Sequence, residues 1–564
     1  MFGRKKYDHK IYPDEIFLDS RNVSGFDTSH FEGRLEKPIS KKIFVYLAIF
    51  MSLFGLFFIS RIFFLQVFKG EEFLARSNGN NLKKESIPSL RGAIYDRNGI
   101  AMSWNGETGR EYGEVAGSGH VLGYIGMPTK EILEDNKNIS SDDIVGKDGT
   151  EEWYDKFLRG VSGVKLTEKD SQGNIISESV QVDPKNGDKL TLTIDSKIQS
   201  YLYLTMEAVI KDKGFEGGSA VILDVNDGSV LAMTNFPEYN PKVFSDGGPT
   251  SLINSYINNK NKPFINRAVS GLYAPGSIVK PLVALAALNE KTISPDKKIF
   301  SAGSISIQNP FFPDKKTVFK DWKAHGWVDM RHALAVSSDV YFYEIGGGFE
   351  DIKGLGINKI YEYSKRFGLG DKTGIDLGGE KNGVVPSQQV KEKNNPSDPT
   401  WRVGDTYISA IGQGYFLTTP IEMAVYTASI ANNGKIVVPR LVKMDHLEAE
   451  LPSGSSASKW KQIDIPEEYF KIVKEGMRMV VTEGTAQGLS YPDLKIAAKT
   501  GTAEVGGSKN YIHSWVIGFY PYENPKYAFA MVLEKGHAGN TIGAPYVMNQ
   551  FFNWLKLYHS EYVN

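Results

Sequence analysis

The stretch YAPGSIVKPLVALAALNE, residues 273–290, joins a turn, a serine and a long apolar run. Pro275-Gly276 is typical of a turn, and the apolar run has helical periodicity, so we predict that Ser277 opens a helix. Residues three apart share a helical face, which brings the Lys280 amine within reach of the Ser277 hydroxyl. A neutral amine there can accept the serine proton, and the helix N-terminus favours a developing oxyanion. The stretch therefore predicts a nucleophilic serine.

Two further motifs support this interpretation of Ser277, since a serine at a helix start is more commonly only a cap. The Ser-x-x-Lys spacing also occurs at Ser456 and Ser458, in a Ser/Gly-rich loop that offers no helix. Downstream of Ser277, Ser-Ser-Asp at 337–339 lies between two apolar runs, and KIAAKTGTAE carries Lys-Thr-Gly at Lys499. The order Ser-x-x-Lys, Ser-x-Asn/Asp, Lys-Thr-Gly indicates serine acyl-transfer chemistry.

Lys-Thr-Gly occurs twice, and the surrounding sequence separates the two copies. The copy at Lys372 lies in GLGDKTGIDLGGE, a turn broken by glycines. The copy at Lys499 lies in a strand-like run followed by YIHSWVIGFYP and KYAFAMVLEKG, a pattern that predicts an antiparallel meander. A Lys-Thr-Gly on a strand edge can hold a carboxylate beside a reactive serine. We therefore assign the site to Lys499 and a structural place to Lys372.

Residues 43–60 carry no charge, and as a helix they span about 27 Å, close to the ~30 Å hydrocarbon core of a bilayer. Arg61 can snorkel and let the helix continue to Phe68. We predict an uncleaved anchor over 43–68, because a core helix would have a polar face and a signal peptide a small-residue cleavage site. Cations before the span place the N-terminus in the cytoplasm and the rest outside the inner membrane (Arg34, Lys37, Lys41, Lys42).

The composition excludes several classes of function. The 564 residues predict two or three domains, and the 41% hydrophobic share can fill a large core. A net charge of −1 provides no field that would recruit nucleic acid. The sequence has no cysteine, which excludes disulfides, thiolate metal sites and a cysteine nucleophile, and no His-Glu-x-x-His motif supports a metalloprotease.

Changes in composition and in apolar periodicity divide the chain into four segments. We predict a largely disordered tail over 1–42, the anchor over 43–68 and a mostly β module over 69–195. Helical and strand signals alternate over 196–558, beginning with the helix SKIQSYLYLTMEAVIK and the hairpin GGSAVILDVNDGSVLAMTNF, which predicts an α+β domain. The polar stretches SQQVKEKNNPSDPT and LPSGSSASKWKQ are predicted to be loops.

These residues resemble a known family, the penicillin-binding DD-transpeptidases. The resemblance covers most of residues 86–545 through six blocks in the family's order: RGAIYDRNG, GKDGTEEWYDKFLRG, DVNDGSVLAMTNFPEYNP, NRAVSGLYAPGSIVKP, GDTYISAIGQGYFLTTPIEM and KTGTAE…HSWVIGFYP. It implies a penicillin-binding, serine β-lactamase-like α+β domain with an antiparallel sheet on a mostly β pedestal. No space remains for a glycosyltransferase domain, so the chain resembles the class B members. DWKAHGWVDMRHALAVSSDVYFY resembles the elongation-type penicillin-binding protein 2, with the division type as the alternative.

The resemblance implies a catalytic role for five residues: Ser277, Lys280, Ser337, Asp339 and Lys499. Ser277 attacks the D-Ala-D-Ala carbonyl of a peptidoglycan stem peptide and becomes acylated, as it does with β-lactams. Lys280 takes the Ser277 proton, and Ser337 passes a proton to the departing amine. Asp339 orients Lys280 and the substrate. The amine of a neighbouring strand then captures the acyl group and forms the cross-link.

The resemblance implies a second group of residues that hold the substrate. Lys499 supplies positive charge, and Thr500 and Thr502 hold the terminal carboxylate around Gly501. The backbone N–H groups of Ser277 and Thr502 form the oxyanion hole. No cofactor is implied. Asp321 and His325 in DWKAHG could join a metal site beside the cleft, but without a cysteine a solvated loop is the commoner outcome.

The sequence departs from the family pattern in two places. Asp339 carries a charge where many relatives have asparagine, so it could hold both lysines protonated. The chain between RGAIYDRNGIAMSWN and GHVLGYIGMP is short, so much of the membrane-distal head of the pedestal is expected to be missing. Partner contacts made through that head are then expected to be absent or altered.

Other activities of the same fold remain as alternatives. A β-lactamase is disfavoured because the Glu-x-x-Leu-Asn pattern is absent. A β-lactam sensor would acylate without turnover, and a DD-carboxypeptidase would use water as the acceptor. The resemblance to the elongation branch implies a SEDS-type glycosyltransferase and a rod-shape scaffold as partners, and the anchor helix is our candidate docking element.

Overall fold

The computed structural model describes residues 40–74, 82–136, 139–169, 174–309, 312, 314–443, 461–506 and 510–563. Most of the predicted tail and the loop serines Ser456 and Ser458 lie outside the described residues. By compactness the chain forms two units. The first comprises the described residues up to Lys83 together with Leu166–Glu178, and the second comprises Lys84–Lys165 with Ser179–Asn564.

Helices and strands alternate along most of the described chain. In chain order, the α-helices are α1 Lys41–Phe63, α2 Gly119–Leu122, α3 Lys130–Asp135, α4 Gly149–Trp153, α5 Asp155–Arg159, α6 Ser196–Lys213, α7 Pro241–Ser245, α8 Thr250–Ile257, α9 Arg267–Ser270, α10 Lys280–Asn289, α11 Met330–Ala335, α12 Asp339–Gly347, α13 Gly356–Arg366, α14 Gln388–Asn394, α15 Val403–Ala410, α16 Pro420–Ala431, α17 Glu467–Thr482 and α18 Ala544–Tyr558. Short 3₁₀ turns are Gly276–Val279, Gln487–Leu489 and Ser560–Tyr562.

The strands before the central domain are short. They are β1 Leu82–Ile87, β2 Ile94–Tyr95, β3 Ala101–Asn105, β4 Arg110–Tyr112, β5 Ile125–Gly126, β6 Val145–Gly146, β7 Gly163–Lys169, β8 Ile175–Val182 and β9 Leu190–Thr191. The later strands are β10 Gly217–Asp224, β11 Val230–Phe236, β12 Ile299–Ser301, β13 Ser304–Gln308, β14 Lys316–Lys320, β15 Gly326–Val328, β16 Lys435–Ile436, β17 Lys461–Gln462, β18 Ala497–Val505, β19 Tyr511–Tyr520 and β20 Tyr527–His537.

Helix α1 continues through a π-helical turn, Phe64–Phe68, so that one apolar helix runs over Lys41–Phe68. None of the α1 side chains is buried in protein. Arg61 lies over the ring of Phe64 near the end of this helix, which agrees with the prediction that the helix passes the arginine. The chain therefore has one helix long and apolar enough to cross a membrane among its described residues.

A five-stranded antiparallel sheet of order β11-β10-β20-β19-β18 organises the second unit. The predicted hairpin is β10–β11, and the predicted meander is β18–β19–β20, so both predictions are confirmed. Alternate residues of a strand face opposite sides. In β20, Ala530 and Val532 belong to one apolar cluster, whereas Phe529 and Met531 belong to the other.

The two faces of the sheet bury different helices. On one side α6 and α18 contribute Leu202 and Phe552 to the smaller cluster. On the other side α10 and α16 contribute to a larger cluster that extends without interruption into pedestal residues such as Leu158. Because α10 is buried along nearly its whole length, it fixes the residues at its N-terminus firmly against the sheet.

Two of the family-like sequence blocks meet in the pedestal. Glu151 is fully buried, and its carboxylate pairs with Arg91 at 2.5 Å and Arg110 at 2.8 Å. Arg91 also contacts Asp155 at 2.7 Å. A buried carboxylate needs such partners, because an unpaired charge in a protein interior is strongly destabilising. The blocks RGAIYDRNG and GKDGTEEWYDKFLRG therefore hold the pedestal together.

One loop prediction is wrong. The stretch SQQVKEKNNPSDPT contains the helix α14, which sequence polarity alone did not suggest. Ser387 caps it by accepting a hydrogen bond from the Val390 N–H at 3.2 Å. Lys391 is nearly buried and pairs with Asp405 at 2.7 Å, so a tertiary ion pair supports the helix. The other polar stretch lies largely outside the described residues, and its last two residues form β17.

Candidate active site

Ser277 lies in the 3₁₀ turn Gly276–Val279, immediately before α10, so the α-helix begins at Lys280 rather than at the serine as predicted. Gly276 in this turn has a left-handed φ of 59°, and a Cβ there would lie 2.6 Å from the Thr502 carbonyl oxygen, which favours glycine at this position. Trp515 Nε1 donates to the Ala274 carbonyl at 3.0 Å. The turn is therefore fixed closely against β18.

Lys280 is fully buried at the start of α10. Its Nζ donates to Asp339 Oδ1 at 2.6 Å and to the Ser337 carbonyl at 2.8 Å, and it lies 3.3 Å from Ser337 Oγ. Among the described residues no hydrogen bond joins it to Ser277, although the sequence predicted that contact. The reason is electrostatic, because a nearby carboxylate attracts the amine more strongly than a neutral hydroxyl does.

Ser337 lies in the loop between α11 and α12, with a φ of 56° that is uncommon for a residue with a side chain. Its hydroxyl accepts a hydrogen bond from Lys499 Nζ at 2.8 Å, on the other side from Lys280. Asp339 follows as the first residue of α12. A single serine hydroxyl thus links two buried amines that come from different elements.

Lys499 is fully buried on β18, opposite Ile517 of β19. Burial, and then repulsion by Lys280, hold the pKa of Lys499 well below its usual value, while Asp339 opposes the shift. On the same strand, the Thr500 hydroxyl lies 2.6 Å from the hydroxyl of Thr485. Sequence reasoning missed Thr485, and no pattern around it marks the residue.

A cleft of about 720 Å³ collects the predicted site residues. Its lining includes Ser277, Ser337, Asp339, Thr500, Gly501 and Thr502. The amines of Lys280 and Lys499 both contact the Ser337 hydroxyl, which is part of this lining. Trp322 and Gln413 also line it and were not predicted as site residues. Gln413 lies in a block that carried the family resemblance, so that block did contain a signal. The structure therefore brings all eight predicted residues together.

The second Lys-Thr-Gly lies elsewhere. Lys372 is exposed in the loop after α13 and does not line the cleft. In that loop, the backbone N–H and hydroxyl of Thr373 both donate to Glu380 at 2.6 Å. The triplet at Lys372 therefore stabilises a turn, as its sequence context predicted.

Asp321 and His325 lie close together, with His325 Nε2 3.5 Å from Asp321 Oδ1. Both side chains are almost fully buried, so the predicted solvated loop is wrong for these two residues. Burial lowers the pKa of His325. Across the part of the chain that the structure describes, no three His, Asp or Glu residues are grouped as a metal site would need.

Glu344 on α12 is buried and makes no side-chain hydrogen bond to a described residue. Burial, and secondarily Glu350, raises the pKa of Glu344 to about 7 from an ordinary 4.5. Between these values the unfolded chain releases a proton that the folded chain keeps, so stability falls as pH rises through this window. We expect Glu344→Gln to raise the free energy of unfolding by about 1–2 kcal/mol at pH 8 and by little near pH 4.

Thermal unfolding of both proteins from pH 4 to pH 8 measures this effect. The difference in Tm between Glu344→Gln and the wild type should grow with pH. An equal difference at every pH would contradict the assignment of Glu344 as the titrating group.

The site as a whole supports one kind of chemistry. A serine at a helix start, two buried lysines joined by a second serine, and a strand edge with threonines define an active-site serine acyltransferase. The lysines can move protons, and the threonine edge can bind an anionic group of the substrate. Comparison with known proteins identifies the family.

The sequence profile of the penicillin-binding protein transpeptidase domain matches residues 218–553, and that of the penicillin-binding protein dimerisation domain matches residues 101–192. The chain therefore belongs to the penicillin-binding protein transpeptidases, and it is a serine-type D,D-transpeptidase. The predicted fold class is confirmed, and so is the resemblance to penicillin-binding protein 2, given the relatives it matches.

Three relatives illustrate the match. Peptidoglycan D,D-transpeptidase MrdA of Escherichia coli is 31% identical over 468 residues, covering 78% of this chain and 70% of that protein. The complex between penicillin-binding protein PBP2 and MreC from Helicobacter pylori contains a chain with a TM-score of 0.71 and 26% identity, covering 85% of this chain and 99% of that one. A structure described as "Structural coordination of polymerization and crosslinking by a peptidoglycan synthase complex" has a TM-score of 0.70 and 25% identity, covering 92% of this chain and 98% of that one.

Proposed function

We propose that this D,D-transpeptidase cross-links peptidoglycan stem peptides during cell-wall elongation, through an acyl-enzyme on Ser277 that β-lactams also form. The observation that carries the assignment of residues is the contact of both Lys280 and Lys499 with the Ser337 hydroxyl, in the cleft that Ser277 lines. Two amines around one hydroxyl provide a path for protons between the nucleophile and the leaving group.

In the acylation step, Ser277 Oγ attacks the carbonyl carbon of the penultimate D-alanine and Lys280 takes the serine proton. An amine accepts a proton only in its neutral form, so Lys280, whose Nζ lies 2.6 Å from Asp339 Oδ1, must pass a proton on before it acts as the base. Lys499 is the receiver in this proposal: its Nζ contacts the Ser337 hydroxyl at 2.8 Å, and burial, followed by repulsion from Lys280, holds its pKa well below its usual value. A substrate carboxylate bound at Lys499 favours its charged form, so a proton moves from Lys280 through the Ser337 hydroxyl to Lys499.

The same residues complete the reaction. Ser337 donates a proton to the nitrogen of the departing D-alanine, and Lys280 restores it. Thr500 and Thr502 hold the terminal carboxylate on either side of Gly501, beside the charge of Lys499. Backbone N–H groups of Ser277 and Thr502 stabilise the oxyanion, at about 3 kcal/mol for each donor. The amine of a second stem peptide then attacks the acyl-enzyme and releases Ser277.

Analysis of the products tests this function. The full-length protein in detergent, supplied with nascent glycan strands, should yield cross-linked muropeptides and an equal amount of released D-alanine by mass spectrometry. Release of D-alanine without cross-links would assign a DD-carboxypeptidase instead. The absence of both products, with a β-lactam still bound covalently, would assign a sensor.

For the layout of the chain, we propose a cytoplasmic tail over 1–42, a transmembrane anchor over 43–68, a pedestal over 69–195 and the transpeptidase domain over 196–558. The two family profiles, over 101–192 and 218–553, support the pedestal and the catalytic domain. The cations before the anchor support a cytoplasmic N-terminus and a catalytic domain outside the inner membrane.

We propose a SEDS-type glycosyltransferase as the membrane partner and an MreC-like protein as the scaffold. The relatives seen with MreC and in a peptidoglycan synthase complex support this assignment. Helix α1 is the docking element in this proposal, because none of its apolar side chains is buried against the described residues. We expect charged or bulky substitutions on one face of 43–60 to reduce co-purification of the glycosyltransferase. Equal tolerance on all faces would rule out docking by α1.

A further inference from the structure

A buried carboxylate lies directly behind the loop that carries Ser337 and Asp339. Asp321 follows β14, and its side chain is 0% exposed. Its Oδ2 accepts hydrogen bonds from Ser338 Oγ at 2.9 Å and from the Val340 N–H at 3.0 Å. Asp321 therefore binds the residues that flank Asp339 on both sides.

A second hydroxyl completes the arrangement around Asp321. Ser301, at the end of β12, is buried and lies 3.2 Å from Asp321 Oδ2 and 3.0 Å from Ser338 Oγ. On its other oxygen, Asp321 accepts from the Trp322 N–H at 2.8 Å. Four hydrogen-bond donors thus converge on one carboxylate, which has about four lone-pair sites to accept them, and His325 Nε2 lies 3.5 Å from its Oδ1.

The loop between α11 and α12, which Asp321 contacts, needs neighbouring contacts to maintain its backbone conformation. Ser337 has a φ of 56°, a left-handed conformation that is unfavourable for a residue with a Cβ. Such conformations persist only where neighbouring contacts enforce them. Ser338 already accepts a hydrogen bond from the Tyr341 N–H at 3.3 Å as an ordinary helix cap. The bond from its hydroxyl to Asp321 is additional, and it fixes the loop between two catalytic groups.

We propose that Asp321, through Ser338 and Ser301, is a positioning residue that holds Ser337 and Asp339 against the two active-site lysines. The inference rests on the roles proposed above for those residues. Because Asp321 touches neither the amines nor the cleft-lining hydroxyls of β18, its effect falls on the acylation step rather than on substrate binding. The hydrogen bonds on which the inference rests come from hydroxyl and backbone donors.

Rapid-mixing kinetics with a fluorescent penicillin separate the two steps. For Asp321→Asn in the full-length protein, we expect the acylation rate constant to fall about 10- to 100-fold, since one oxygen that accepts hydrogen bonds becomes a donor. The dissociation constant of the pre-covalent complex should change less than about 3-fold. Ser338→Ala should lower the same rate constant, and the double variant should be no slower than the slower single variant.

Asp376→Asn is the matched control. Asp376 is also a buried carboxylate, and it accepts from Tyr154 Oη at 2.7 Å and from the Leu441 N–H at 2.6 Å, away from the cleft. This variant should lower the Tm but leave the acylation rate constant near that of the wild type. Ser301→Ala, which removes only one of the four donors, provides a milder test should Asp321→Asn fail to fold.

Three results would overturn the proposal. The first is an unchanged acylation rate constant in Asp321→Asn, or in Ser301→Ala and Ser338→Ala when the former does not fold. The second is strict additivity in the double variant, because independent losses would mean that Asp321 does not act through Ser338. The third is loss of wild-type acylation on dialysis against a chelator, which would assign Asp321 to a metal. Failure of the proposed function gives a different result, namely a wild type that no penicillin acylates or a Ser277→Ala variant that is still acylated.

Discussion

Replacing Ser277 with alanine is expected to abolish covalent capture of penicillin, with a loss of about 10⁶-fold or to the background of the assay. In the mechanism proposed above, the oxygen of Ser277 forms the bond to the acyl group. Ser337 Oγ lies in the same cleft but is held between Lys280 and Lys499, so it is not free to attack. Intact mass spectrometry after incubation with a β-lactam measures the result directly.

Ser270→Ala is the control for this experiment. Ser270 is the last residue of α9, and its hydroxyl donates to the Asn266 carbonyl at 2.7 Å, outside the cleft. This variant should gain the mass of one β-lactam, as the wild type does. A Ser277→Ala protein that still gains that mass at the wild-type rate would show that the nucleophile is a different residue.

Replacing Lys280 with methionine is expected to lower the acylation rate constant about 10²- to 10⁴-fold, because the site loses the general base that we propose. Methionine fills a similar volume in a fully buried place, so the effect is chemical rather than a packing defect. Asp339 also loses its partner, and its contact with Lys280 at 2.6 Å is the shortest that the amine makes. The pre-covalent complex should still form, since Thr500 and Thr502 are untouched.

Lys391→Met provides the matched comparison. Lys391 is another nearly buried lysine in an ion pair, 2.7 Å from Asp405, but it lies on α14 and not in the cleft. We expect a lower Tm with a normal acylation rate constant. If Lys280→Met were acylated as fast as Lys391→Met, the proton of Ser277 would have to go elsewhere, and Lys499 would become the candidate base.

Much of the fold could be predicted because the spacing of apolar residues within a helix or strand repeats every few residues. The helix Ser196–Lys213 and the hairpin of β10 and β11 follow from apolar spacings and from a turn sequence. The long apolar helix Lys41–Phe68 follows from an uncharged run over 43–60. The helix α14 could not be predicted in this way, because the ion pair between Lys391 and Asp405 that supports it joins residues from two different elements.

The sequence predicted which residues form the candidate site, but it did not predict which of them contact one another. The pairing of Ser277 with Lys280 was expected from helical spacing, yet the amine turns to Asp339 because the loop after α11 brings a charge close to it. From the sequence, Asp321 was expected either to bind a metal or to lie in a solvated loop. Its hydrogen bonds to Ser338 and Val340 depend on the strand end after β14 lying behind α12, which no local pattern encodes.

The sequence by itself determined the class of fold, the helix long and apolar enough to cross a membrane, and the order of the three motifs that define a serine acyltransferase. Only the tertiary structure decided that the Lys499 amine reaches the Ser337 hydroxyl, 162 residues away in the chain, and that the amine of Lys280 meets the same hydroxyl from the other side. The physical reason is the distance along the chain over which each effect acts. Periodicity and turn chemistry act between residues a few positions apart, whereas the register of β18 and the burial of α10 set distances between elements far apart in the chain.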